Sequence, residues 1–272
     1  MPSQADPARA PVLYLPHGGG PRPLMDDPEH ASLTRFLRSI APRLGQPAAI
    51  LVISAHWEAP VATLTSGAQP PLYFDYYGFP PETYTFRYPA PGDPALAQAV
   101  RTRLEQQGIA ARLDGQRGYD HGLFVPLMLM YPQARIPCVQ LSLLEGLDPA
   151  RHIALGQAIA DLREQNVLIV GSGLSFHNMQ AFRSTDPGSR QRAIAFDDWL
   201  GETCMADGLS AGERTRRLLD WAQAPQARYC HPREEHLLPL HVCFGAAGPD
   251  RRAERVFNDE VIGRRVSGFL WQ

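Results

Sequence analysis

The stretch AILVISA at residues 49–55 is a short, continuous apolar run with several branched side chains, and His56 follows it directly. Such a run indicates a strand buried on both faces, the kind found at the centre of a mostly parallel sheet. The runs VLYLP at 12–16 and VLIVGSG at 167–173 have the same character. His17 follows the first of them at once, and His177 follows the second after three residues.

Strand-like and helix-like segments alternate along the rest of the chain. We predict strands at Val12–Pro16, Ala49–Ala55, Val61–Thr65, Ala110–Leu113, Pro137–Leu141 and Val167–Gly171, with a further strand-like stretch at Arg255–Trp271 that pairs at a sheet edge. We predict helices at His30–Ile40, Pro94–Gln107, Gly122–Tyr131, Pro149–Gln165, Arg190–Asp207, Ala211–Ala222 and Pro232–Ala247. The pattern predicts the α/β class: one three-layer α/β/α domain at residues 11–272, with a mixed, mostly parallel central sheet, after a disordered tail at residues 1–10.

Composition excludes several classes of function. A formal charge of -2 and the lack of a basic run give no reason to expect nucleic-acid binding. No apolar run is long enough to cross a bilayer, and the amino terminus lacks the pattern of a signal peptide. The four cysteines form no CxxC pair. We therefore expect a cytoplasmic protein that does not act at a membrane.

Five of the histidines lie beside turns or helix starts rather than within apolar stripes. Loops at the carboxyl ends of parallel strands gather at one edge of an open sheet, where ligands bind. Imidazole is the commonest metal ligand and transfers protons well near neutral pH. We therefore expect one pocket that contains several of these residues: His17, His56, His121, His177 and His236.

A metal site is the better interpretation of the first histidine motif. His17 lies in LPHGGGP, whose glycines allow close approach of a ligand, but the motif lacks the spacing and the lysine of a phosphate-binding loop. Either Glu235 or His236 completes a site with His17 and His56. Three histidines suit zinc, whereas two histidines and a carboxylate suit non-haem Fe(II), and spacing alone leaves both open.

Two further histidines remain for acid–base work. His121 lies in GYDHGLF and His177 in GLSFHNM, with Asp120 and Asn178 as neighbours that could orient them. His30, His152 and His241 fall within helical patterns and are expected to be structural. The role of His231 is ambiguous, because it lies close to His236 in sequence but could be a helix-start residue.

The segment Pro70–Pro91 is too aromatic for a solvated linker and too rich in proline for a central strand. It is either a loop packed on the core or an aromatic wall over a pocket for a planar substrate. Tyr76 and Phe79 from this segment, together with His231, are the candidate substrate-binding residues.

These segments together resemble the class III (LigB-type) extradiol ring-cleaving dioxygenases, in the branch that contains DOPA 4,5-dioxygenases. The matching strings occur in family order over most of the chain: HGGGP at 17–21, ILVISAHWE at 50–58, YGFPPETYTFRYPAPGDPALA at 77–97, DHGLFVPLMLMYPQARIPCVQLSL at 120–143, VLIVGSGLSFHNM at 167–179 and HPREEHLLPLHVCFGAAG at 231–248. Many relatives have His-Gly-Ser-Pro at the first motif, where this chain has three glycines after His17.

The resemblance implies a role for each of the five histidines. It implies His17, His56 and His236 as metal ligands, His177 as the acid–base residue, and His121 as a second pocket histidine near substrate and oxygen. It also implies that a catechol, DOPA-like or another small one, is opened with O2 to a muconic-type semialdehyde. Fe(II) is the metal expected for activity, and Zn(II) the metal that can occupy the site on isolation.

Two other functions are compatible with the same residues. One is a zinc hydrolase that uses metal-bound hydroxide, and the other is a non-catalytic metal-binding relative. The sequence does not select among catechols, although Arg22, Arg87 and Arg183 are possible partners for a substrate carboxylate. It also does not define the position of ring cleavage or the oligomeric state.

Overall fold

The computed structural model of the protein describes residues 9–272. Residues 1–8, most of the predicted tail, lie outside the described residues. Ala10 is buried, and its backbone N–H donates to the carbonyl of Arg163 at 2.9 Å. The buried Arg163 guanidinium donates in return to the carbonyl of Ala10. The packed part of the chain therefore includes Ala10.

The described residues contain one eight-stranded mixed sheet. In chain order its strands are β1 (Val12–Pro16), β2 (Ala49–Ala59), β3 (Ala62–Thr65), β4 (Ala111–Asp114), β5 (Cys138–Leu144), β6 (Val167–Gly173), β7 (Glu254–Val261) and β8 (Arg264–Trp271). Their order in the sheet is β4-β3-β5-β2-β6-β1-β8-β7. The central pairs β5–β2, β2–β6 and β6–β1 are parallel, whereas β8 is antiparallel to both β1 and β7. This confirms the predicted α/β class with a mixed, mostly parallel sheet.

Helices cover the sheet. They are α1 (Ala31–Leu44), α2 (Pro94–Gln106), α3 (His121–Met130), α4 (Pro149–Ala158), α5 (Met179–Phe182), α6 (Pro187–Met205), α7 (Ala211–Leu219), α8 (Ala227–Cys230) and α9 (Leu238–Ala247). Adjacent strand residues point to opposite faces of a sheet. The hydroxyl of Ser172 donates to the carbonyl of Gly122 in α3, whereas a Cβ on Gly171 would meet Cys243 in α9. The two helices therefore lie on opposite faces, as a three-layer domain requires.

Two predicted elements end or begin elsewhere. Strand β2 continues through Ala59, so His56 lies within the strand rather than after it. The helix predicted to start at Pro232 starts at Leu238. The preceding turn is held instead by tertiary bonds, because the carbonyl of His236 accepts from the backbone N–H of Leu174 at 3.0 Å and from the hydroxyl of Tyr14 at 3.1 Å.

Other boundaries differ more simply. The helix predicted at Pro149–Gln165 ends at Ala158, and a 3-10 helix follows at Ala160–Gln165. The strand-like stretch Arg255–Trp271 is a hairpin, because Ile262 and Gly263 both have positive φ and turn the chain. Strand β7 of this hairpin lies at the sheet edge, as predicted. Within residues 9–272, no helix is both long and apolar enough to span a bilayer.

Candidate active site

The carboxyl ends of the central strands bring together histidines from all over the chain. His17 follows β1, His56 lies in β2, and His177 comes four residues after β6. His121 is the first residue of α3, and His236 lies in the turn before α9. The bonds from Leu174 and Tyr14 to the carbonyl of His236 fix that turn against β6 and β1. The predicted convergence at one edge of the sheet is therefore present.

Three of these side chains form the centre of the cluster. His17, His56 and His236 each offer a ring nitrogen, and these nitrogens lie within 4.8 Å of one another. The Nε2 atoms of His17 and His56 are 3.1 Å apart. His17 and His236 are buried, and His56 is half-buried. Three nitrogen donors at this spacing can bind one divalent cation.

The outer nitrogens of His17 and His236 have hydrogen-bond partners. Nδ1 of His17 lies 2.9 Å from the hydroxyl oxygen of Ser172, whose own proton goes to the carbonyl of Gly122. Ser172 therefore accepts from Nδ1–H of His17, which leaves the lone pair on Nε2 at the centre of the cluster. Nδ1 of His236 lies 3.0 Å from the carboxylate of Glu235, which can only accept, so its Nε2 is also a free donor to a metal.

Burial keeps the three rings neutral. Removal from water lowers the pKa of His17, His56 and His236 well below the ordinary value, and neighbouring imidazoles lower it further. Neutral imidazole is the form that binds metals.

His121 and His177 flank the central three. The ring centre of His121 is 3.9 Å from that of His56, and His177 stacks on His236 with ring centres 3.4 Å apart. A surface cavity of about 310 Å³ opens beside His177 and is lined also by Asn178, Met179, Gln180, Pro232, Arg233 and Glu235.

The residues that orient these two rings differ from those expected. Asp120 is buried and bonded to Ser54 and Gln140, and Asn178 caps α5. The partners are instead Asp75, at 2.8 Å from Nδ1 of His121, and Glu235, at 3.0 Å from Nδ1 of His177. The sequence indicates Glu235 only as a candidate ligand, and it gives no signal for Asp75 because no spacing links the aromatic segment to His121.

The aromatic segment Pro70–Pro91 packs on the core beside the site. The ring of Tyr76 lies 5.9 Å from His121, and its hydroxyl donates to the carbonyl of Thr83 at 2.6 Å. Burial raises the pKa of Tyr76 to about 12. Phe79 packs on Tyr76 and lies against Gly20 of the glycine-rich loop. Tyr76 can therefore offer a ring face, but its hydroxyl is engaged within the segment.

His231 is not brought into the group. It is fully buried, its Nε2 donates to the carbonyl of Ser175 at 3.0 Å, and its ring lies against Phe196 and Trp221. Burial lowers the pKa of His231 to about 3. His231 was expected to contact substrate, but its ring is instead buried in the protein interior and makes structural contacts.

Comparison with known proteins decides the family. A family model described as the catalytic LigB subunit of aromatic ring-opening dioxygenase matches residues 10–267. The chain belongs to the LigB family. It is 39% identical over 281 residues to Dioxygenase tasH of Hapsidospora irregularis, covering 96% of this chain and 85% of that relative.

Two further relatives carry a substrate in their names. A 4,5-DOPA dioxygenase extradiol of Beta vulgaris is 39% identical over 91% of this chain and 90% of its own length. One from Escherichia coli K12 is 33% identical over 88% of this chain and 85% of its own length. A crystal structure of an uncharacterized protein from Escherichia coli K12 superposes with a TM-score of 0.77 at 28% identity, covering 96% of this chain and 99% of that one.

This LigB-family protein is therefore an extradiol, aromatic ring-opening dioxygenase that acts on an aromatic substrate with O2. Dioxygenases of the family are metal-dependent, and the histidine cluster is the matching feature of this chain. The family membership favours ring opening over the hydrolase and the non-catalytic alternatives.

Proposed function

We propose that this enzyme opens the ring of a small catechol, DOPA or a compound like it, with Fe(II) held by His17, His56 and His236. The observation that carries the proposal is the convergence of three ring nitrogens within 4.8 Å. Protein partners of Nδ1 in His17 and His236 leave their Nε2 atoms free to bind. A DOPA-like substrate is favoured because relatives at 33% and 39% identity are named 4,5-DOPA dioxygenase extradiol.

The donor set fits the metal. Bound there, a divalent metal would orient the diol and O2 and stabilise developing negative charge. Three neutral nitrogens also suit zinc, so we expect Zn(II) to bind the same residues without supporting ring opening.

His177 is the proposed acid–base residue. Its Nδ1 faces Glu235, which accepts a hydrogen bond, so the lone pair on Nε2 is available for a phenolic proton. The side chain is about 20% exposed and lines the 310 Å³ cavity, through which a substrate hydroxyl can reach it.

His121 is proposed to hydrogen-bond substrate or oxygen from its position beside His56. Its ring lies 5.4 Å from that of His17 and 3.9 Å from that of His56. Tyr76 and Phe79 would then form an apolar side of the substrate site next to it, because the ring of Tyr76 lies 5.9 Å from His121 and Phe79 packs on Tyr76.

The test is oxygen uptake after anaerobic loading with Fe(II), with DOPA, caffeate, protocatechuate and plain catechol as substrates. We expect one catechol to give stoichiometric uptake and a yellow product, and no uptake by the zinc-loaded protein or the His17→Ala variant. Absence of uptake with all four catechols, despite bound Fe(II), would contradict the proposal. Ester or amide hydrolysis by the zinc form would instead identify a hydrolase.

A further inference from the structure

Glu235 is shared by two imidazoles. One of its oxygens, Oε1, lies 3.0 Å from Nδ1 of His177 and 3.0 Å from Nδ1 of His236. The second oxygen lies 3.4 Å from the guanidinium of Arg233, which also binds Glu58. Arg233 therefore contacts one oxygen of the carboxylate, while the other contacts the proposed ligand His236 and the imidazole of His177, which is not a proposed ligand.

Asp75 is the carboxylate that contacts His121. Its Oδ1 accepts from Nδ1 of His121 at 2.8 Å and from the backbone N–H of His121 at 3.0 Å. Its Oδ2 lies 3.6 Å from Nδ1 of His56 and has no hydrogen-bond partner among residues 9–272. Asp75 therefore hydrogen-bonds His121 but not His56.

The chemistry of these contacts dictates where the imidazole protons lie. An ionised carboxylate only accepts hydrogen bonds, so a neutral imidazole facing it carries its proton on Nδ1 and its lone pair on Nε2. For a ligand, that tautomer points a donor atom at the metal. For a free imidazole, the same tautomer points a proton acceptor at the substrate side.

We propose that Asp75 and Glu235 are positioning residues that hold the imidazoles they contact in the Nδ1–H tautomer. Glu235 sets the proposed ligand His236 and the imidazole of His177, and Asp75 sets His121. Ser172 does the same for His17 through a hydroxyl. The inference has two halves. The ligand half concerns metal binding and rests on the proposed function, whereas the tautomer half concerns the metal-free protein.

The direct test is the tautomer of each histidine, read from two-bond ¹H–¹⁵N correlation spectra of the metal-free protein at about pH 8, above the reference pKa of an imidazole. Signals are assigned with single histidine variants. We expect the Nδ1–H form at His121 and His177 in the wild type. The Nε2–H form at both would overturn the inference, and this result requires no carboxylate variant to fold.

Single substitutions of the two carboxylates test the effect of each one on the histidine tautomers. In Glu235→Gln we expect the Nε2–H form to appear at His177 but not at His121, and in Asp75→Asn the reverse. Glu234→Gln is the matched control, because Glu234 is adjacent in sequence and pairs with Arg228 instead. Tautomers unchanged in both site variants would contradict the assignment.

Metal affinity tests the ligand half without turnover. In competition with a chelator, Zn(II) should bind about 10–100-fold more weakly to Glu235→Gln than to the wild type, and Glu234→Gln should match the wild type. Unchanged affinity in Glu235→Gln would overturn the ligand half. Failure of oxygen uptake with the expected tautomers would contradict only the proposed function.

Discussion

At the scale of single residues, the second nitrogen of each ring determines what the first can do. His17 shows this most clearly. Its partner is a hydroxyl, which can donate or accept a hydrogen bond, so its role is known only once the position of its own proton is known. The Ser172 proton is taken by the carbonyl of Gly122, so the oxygen must accept from the imidazole. Replacement of Ser172 would therefore affect His17 without any contact with the metal.

His177 provides the sharpest test of catalysis. Because its Nε2 is proposed to accept the phenolic proton, His177→Phe should lower kcat on the order of a hundredfold or more. Affinity for Zn(II), measured by chelator competition, should stay near that of the wild type, since phenylalanine can preserve the stacking on His236. Unchanged turnover would remove His177 from this role.

The histidines could be predicted from the sequence, but their supporting residues could not. His17, His56 and His177 were recognisable because each comes directly or soon after an apolar run in the sequence, and the carboxyl ends of parallel strands converge. Asp75 gave no such signal, since it lies in an irregular segment whose path depends on packing. His231 gave a misleading one, because proximity to His236 in sequence did not bring it into the pocket.

At the scale of elements, the turn at residues 231–237 shows how tertiary bonds override local preference. Pro232 favours a helix start, and the sequence predicted one there. The carbonyl of His236 is instead taken by Leu174 and Tyr14, which is incompatible with a helix from Pro232. The turn lets His236 enter the site from beside β6.

Gly173 makes room for that turn. A Cβ at this position would lie 2.2 Å from the carbonyl oxygen of His236. Gly173→Ala should therefore cost about 1–3 kcal/mol in the free energy of unfolding and weaken Zn(II) binding, because the turn must move. Urea titration and chelator competition measure the two effects.

Gly212 in α7 is the control for this substitution. A Cβ there meets nothing within 4 Å, and Gly212→Ala should be neutral or stabilising by up to about 1 kcal/mol. Equal effects of the two substitutions on stability and on metal binding would show that the close approach at Gly173 is unimportant.

At the scale of the whole molecule, buried histidines make the fold sensitive to acid. His241 in α9 is fully buried, its Nε2 donates to the carbonyl of Leu218 at 2.8 Å, and burial lowers its pKa to about 4. The unfolded chain takes up this proton near pH 6.5, whereas the folded chain does not until about pH 4. The contribution of His241 to the free energy of unfolding is therefore fully present above pH 6.5 and is lost as the pH falls toward 4.

We expect the free energy of unfolding, measured with urea, to fall by on the order of 3 kcal/mol from this group between pH 6.5 and 4. The lowered pKa values of His17, His56 and His236 act in the same direction. In His241→Gln the decline should be shallower. An equal slope in this variant would show that His241 contributes nothing to the acid sensitivity.

The class of the whole fold was predictable because apolar strands and amphipathic helices alternate, but the order of its strands was not. Neighbours such as β1 and β8 are far apart in sequence, and their pairing depends on three-dimensional packing. The turn at Ile262 and Gly263 could not be predicted from the sequence either, since isoleucine rarely adopts a positive φ.

The bond from Tyr14 to the carbonyl of His236 joins positions 222 residues apart. During synthesis on the ribosome, the amino-terminal imidazoles emerge long before the turn that completes the centre. A cation captured early would meet only two of the three proposed ligands, His17 and His56, so tight binding would have to wait for the carboxyl-terminal quarter of the chain. Premature termination after α7 would thus yield a product that binds a divalent metal poorly, even if its first strands fold correctly.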